Sequence, residues 1–166
     1  MSFLLKRKIS PVLISGYVLL VLLLFPFARD VVYNESLIAS LEERTKKYSH
    51  PLDSQLLQRF SIIGNFAPAS NQCGFIVAEV RTTMLEPNNI YRFYAPILTA
   101  PFSSGNPPYH EVILYNLSDE KGVENITRLY PEVYERIIYR ALNDTHVYLL
   151  ITAETGYQPN NDPRCH

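Results

Sequence analysis

Between Ile9 and Ala28 the chain carries no charged side chain, and from Val18 to Phe25 it consists of Leu, Val and Phe alone. Twenty helical residues rising 1.5 Å each span about 30 Å, the thickness of a bilayer's hydrocarbon core. A helix at the surface of a soluble domain would keep a polar face, whereas this run has only Ser10, Ser15 and Tyr17 scattered through it. Lipid, or a translocation channel, is the solvent such a cylinder calls for.

The flanks set an orientation. Lys6, Arg7 and Lys8 precede the run, while Arg29 and Asp30 follow it and cancel. By the positive-inside rule residues 1–8 form a cytoplasmic basic n-region, 9–28 a transmembrane anchor, and everything past Arg29 is translocated. A cleaved signal peptide is the competing reading. Ala28 would end it, but Pro26 two residues earlier departs from the small-x-small pattern, and the run exceeds the usual apolar region. A retained anchor is the preferred expectation, and no Cys follows the run to suggest a lipid-modified terminus. The C-terminal domain is then periplasmic, extracellular or lumenal.

In that setting the two cysteines matter. Cys73 and Cys165 both lie beyond the anchor, and two thiols in an oxidising compartment tend to pair. Their bridge would tie the C-terminal tail to the start of a strand. Asn-x-Ser/Thr triplets at Asn34, Asn116, Asn125 and Asn143 are more than chance supplies, and they bear on glycosylation only in a host that performs it.

Removing the three leading basic residues leaves twelve basic against sixteen acidic side chains. A mildly acidic domain gains nothing from releasing counterions on a phosphate backbone, so nucleic acid is not an expected partner.

Along the rest of the chain, Val31, Ile38, Leu41 and Tyr48 recur at helical spacing, and Leu52, Leu56, Leu57 and Phe60 suggest a second helix starting at Pro51. Residues 29–64 are therefore expected to form a helical stalk. Residues 73–166 are expected to form an α+β domain. Phe75–Met84 alternates as a strand, with Ile76, Ala78 and Val80 inward and Glu79, Arg81 and Thr83 outward. Leu85–Asn89 is expected as a hairpin connection, Ile90–Leu98 as a second strand, and His110–Leu117 as a third. Ile126, Leu129, Tyr130, Val133, Ile137, Ile138 and Ala141 form one helical stripe, with a kink or fresh start at Pro131. His146–Ala153 completes the set with Val147, Leu149 and Ile151 inward. The expected architecture is a small antiparallel sheet, β-β-β-α-β, with one long amphipathic helix packed on it.

Chemistry is sparse. Cys73, with His146 opening a strand and Asn71 or Asn143 to orient it, is the one nucleophile arrangement on offer. Gln72 before Cys73, with that His, resembles papain-like peptidases in those few residues. The aromatic expected after the cysteine is missing, and the chain is short for a two-lobed enzyme. His50, His110, His146 and His166 lack metal-ligand spacing, and no glycine-rich loop cradles a phosphate, so no catalytic, metal or cofactor residues are assigned. An apolar N-terminal helix leading to a sheet resembles pilin-like subunits, but no Glu lies between Ser2 and Asp30, and that match is declined.

The leading expectation is a non-catalytic interaction or accessory domain of the cell envelope or secretory pathway, held by the bilayer and contacting a protein partner. Its candidate contact residues are Phe102, Tyr157, Glu79 and Arg81. The alternative is a small-molecule-binding or sensory domain with a pocket between Tyr139 and the sheet. A thiol-dependent enzyme using Cys73 and His146 is the third.

Overall fold

The computed structural model describes residues 11–66, 73–98, 109–137, 145–157 and 162–165. Helix α1, Pro11–Thr45, is a single 35-residue helix with two different halves. Residues 15–25 are exposed and almost entirely apolar. From Asp30 onward the same helix has a buried stripe of Asp30, Asn34, Ile38, Leu41 and Thr45, spaced by threes and fours as one helical face requires. It is long and apolar enough to cross a membrane.

Four strands follow: β1 Gln55–Gly64, β2 Cys73–Thr83, β3 Tyr109–Asn116 and β4 His146–Tyr157. They form one antiparallel sheet in the order β1-β2-β4-β3. The sheet is therefore not a simple meander. The last strand lies inside it, between β2 and β3, which run parallel to each other on either side.

Both faces of the sheet are covered. One carries Ile76, Ala78 and Val80 of β2 with Leu149, Ile151 and Ala153 of β4, packed against Ile126, Tyr130 and Val133. Those three belong to helix α3, Glu120–Leu129, and its continuation through Tyr130 into the short helix α4, Pro131–Tyr134. The fresh start at Pro131 matches the expectation, since a proline fits a first helical turn and not an interior. Leu129 departs from the expected stripe and is half exposed, and Ile138, Tyr139 and Ala141 lie outside the described residues. The opposite face receives the second half of α1 over Phe75 and Val77, and helix α2, Pro87–Tyr94, over Val112, Leu114, Tyr148 and Leu150.

Three sequence expectations are corrected. The helix expected from Pro51, and with it the last third of the 29–64 helical stalk, is strand β1. A bulge between Leu56 and Gln58 leaves Leu56 exposed while Leu57 and Phe60 pack on the core, so the three fell by chance at helical intervals. The strand expected over Ile90–Leu98, and the hairpin before it, are helix α2, started by Pro87 in its first turn and by Asn89 and Ile90 N–H groups donating to the Glu86 carbonyl. Finally, Glu79, Arg81 and Thr83 do not turn outward to solvent but are buried, because the second half of α1 and the segment after it roof that face.

Candidate functional site

The buried polar face begins with Glu79, whose side chain is 0% exposed in the middle of β2. A carboxylate in that position is costly unless cations and hydrogen bonds surround it. Strand pairing supplies them. Arg59 lies directly opposite on β1 and donates to Glu79 Oε1 from Nε at 2.8 Å. Arg81, two residues along and so on the same face, donates from Nη1 to Oε2 at 2.9 Å.

The third neighbour comes from outside the sheet. Past α1 the chain tightens through N–H bonds from Lys47 to Arg44 and from Tyr48 to Thr45. This turn sets His50 with Nε2 3.5 Å from Glu79 Oε2 and Nδ1 2.7 Å from the Tyr94 hydroxyl. Burial pushes the His50 pKa below its ordinary value, and the Arg81 cation adds to this against the opposing pull of Glu79. The imidazole is therefore neutral near pH 7.

From there the contacts close on themselves. The Tyr94 and Tyr148 hydroxyl oxygens are 2.9 Å apart, Tyr148 and Ser54 hydroxyls 2.8 Å apart, and Arg81 Nε donates to Ser54 Oγ at 3.0 Å. With His50 neutral, one proton order satisfies the circuit. Arg81 gives to Ser54, Ser54 to Tyr148, Tyr148 to Tyr94 and Tyr94 to His50 Nδ1, while His50 Nε2–H faces Glu79. The reverse order would set a bare ring nitrogen against a carboxylate. Burial, and then the bond with Tyr148, holds the Tyr94 phenol far above the usual tyrosine range. Each hydroxyl in the ring thus gives one hydrogen bond and receives one within it. It fastens β1, β2, β4, α2 and the end of α1 at one point.

A second polar cluster sits at the other end of the same face. Cys73 and Cys165 are joined in a disulfide with Cα atoms 4.8 Å apart, both fully buried. The pairing matches the sequence expectation and fits an oxidising compartment. Asn34 of α1 donates from Nδ2 to Asp162 Oδ2 at 2.9 Å and lies 3.8 and 3.6 Å from the two sulfurs. Arg164 bridges Asp162 at 2.7 Å and Glu35 at 2.6 Å. The Arg164 bonds, reinforced by Asn34, bring the Asp162 carboxyl down to about 2. The folded chain has no room for a glycan on Asn34, whose amide is buried and bonded. Asn116 and Asn125 are half-buried, and Asn143 lies outside the described residues.

The thiol arrangement does not assemble. Cys73 is spent in the disulfide, and His146 pairs with Thr83 at the opposite end of β2, ten residues or about 33 Å away. His146 instead approaches Glu86 at 3.7 Å. Of the four expected contact residues, Glu79 and Arg81 are interior. Tyr157 ends β4 opposite Cys73, and Phe102 lies outside the described residues.

Sequence reasoning missed His50, Ser54, Tyr94 and Tyr148. One signal pointed to them: Phe75 and Val77 share strand parity with Glu79, so the face assigned to solvent was apolar at its other end. It also missed the exposed tip. Leu52 is fully exposed, Met84 is 73% exposed and Leu56 is also exposed, all at the end of the sheet away from the disulfide. Asp53 shapes that tip by accepting bonds from Thr83 Oγ1 and the Met84 N–H, both at 2.7 Å. No family model, no curated protein and no solved structure matches the chain.

Proposed function

We propose that the chain is a single-pass membrane protein with a cytoplasmic N-terminus, whose translocated sheet domain docks a protein partner at its membrane-distal tip and performs no catalysis. The observation that carries this reading is helix α1. Over residues 15–25 it offers an almost entirely apolar surface to its surroundings, and its second half is built into the sheet domain. The anchor and the domain are thus one continuous rod. At the far end of that rod Leu52, Leu56 and Met84 are exposed, Leu52 and Met84 beside Asp53, which ties the turn to the end of β2. Apolar side chains presented on a braced surface are what a protein contact uses.

The test is a photocrosslinker placed at position 52 or 84 in native membranes. The expected result is one discrete adduct, retained after alkaline extraction and lost in Leu52→Asp, a variant that leaves the unfolding midpoint unchanged. Absence of an adduct at both positions would end the docking reading.

A second reading, a small-molecule or sensory domain, draws on one cleft. It encloses about 340 Å³ between Tyr48, Phe93, Tyr94 and Ile97, with Lys47 at its side. A ligand seated there would raise the unfolding midpoint of the wild type and not of Phe93→Arg.

A further inference from the structure

We infer that the disulfide-bearing end of the domain rests against the lipid headgroup layer, with Val32 and Tyr33 of α1 at the outer edge of that layer and no linker between anchor and domain. This rests on the anchor reading above and adds where the domain stands. The charge-free run ends at Ala28, and Asp30, the first residue of α1's buried stripe, is already buried. Two helical residues rise only about 3 Å, whereas the headgroup layer on each side of a bilayer is roughly 5–7 Å thick. Domain packing on α1 therefore starts inside that layer.

The structure meets the two conditions such a seat imposes. The domain must not intrude on the hydrocarbon, and all of residues 15–25 of α1 are left uncovered by it. The helix surface at headgroup depth must also suit a mixed environment. Val32 and Tyr33, about 6–8 Å beyond Ala28, are 68% and 55% exposed. A tyrosine there has its apolar ring toward the acyl chains and its hydroxyl toward water, the usual setting for this side chain at an interface.

The charges at this end select the kind of lipid. Arg29 pairs with Asp30 at 2.9 Å, and Arg164 is held between Asp162 and Glu35. These two arginines are already matched by carboxylates, so neither is spare for anionic lipid, and the contact is with zwitterionic headgroups.

The experiment uses the full chain in phosphatidylcholine vesicles. Val32→Cys and Met84→Cys are each labelled with a fluorophore, the native cysteines being bridged, and quenched by a headgroup-nitroxide lipid. Met84 follows the far end of β2, eleven residues or about 36 Å from Cys73. Several-fold stronger quenching at position 32 than at 84, unchanged when phosphatidylserine is added, is the expected result. Equal quenching at the two positions, with the protein still resisting alkaline wash, would overturn the seat and leave the anchor standing. Release by alkaline wash would overturn both. A salt-sensitive increase with phosphatidylserine would overturn the uncharged contact.

Discussion

His50 Nδ1 lies 2.7 Å from the Tyr94 hydroxyl, and this one contact ties the segment after α1 to the last residue of α2. Nothing local relates the two positions. The bond exists because Glu79, Arg59 and Arg81 make a polar floor that the turn after α1 must cover with a matching group.

Stability should follow pH through His50. Its folded pKa is depressed below 6.5 by burial, so the unfolded chain binds a proton that the folded chain refuses. The contribution is complete above about pH 6.5 and is lost as pH falls through that value toward the folded pKa. Urea midpoints at pH 7.5 and 5.5 should fall in the wild type and change less in His50→Gln. An equal fall in both would assign the dependence elsewhere.

Removing the charge of Glu79 strands two guanidinium groups. Glu79→Gln should destabilise the domain by roughly 3 kcal/mol, the order expected when one member of a buried ionic group is deleted. The partial exposure of Arg59 makes the lower end of that range apt. A Glu79→Gln, Arg81→Met double variant should recover part of the loss, and a denaturant double-mutant cycle measures the recovery.

The disulfide closes a sequence separation of 92 residues. In the chain-entropy account such a loop is worth about 4–5 kcal/mol. Cys165→Ser should lower the urea midpoint, reductant should lower the wild type to a similar value, and reductant should leave the variant unmoved.

Gly122 should resist alanine. A Cβ there would stand 1.8 Å from the Asn116 carbonyl oxygen, at the end of β3. Elsewhere in a helix the exchange stabilises by about 1 kcal/mol. Here backbone must shift, and a loss of roughly 1–3 kcal/mol is expected in thermal or urea unfolding.

How much of this was legible depended on which neighbours a segment meets. The strand at Val147, Leu149 and Ile151 followed from its β-branched and apolar run, but that period named one inward face where both are buried, Tyr148 and Leu150 packing under α2. The long apolar helix and the Cys73–Cys165 pair were legible from the charge-free run and the even cysteine count. Ile90–Leu98 was not, because Tyr91, Phe93, Ala95 and Ile97 fall at every second position as strand residues do, although Tyr91 and Phe93 are part-exposed on α2. Only Ile90 and Tyr94, four apart and both buried, carry the helical period. Glu79 and Arg81 were misassigned for a different reason. Alternation identifies two faces but not whether a distant helix covers the polar one. The His50–Tyr94–Tyr148–Ser54 circuit joins positions up to 98 apart in number, and no local pattern encodes it.

The place of β4 has a consequence for how the protein is made. It is the last strand to be synthesised, yet both its edges are needed, one by β2 and the other by β3. A chain emerging N-terminus first exposes β2 and β3 while both still lack their shared partner. Completion of the sheet is thereby deferred until residue 157 has been made, and the open strand edges are what any chaperone would first encounter.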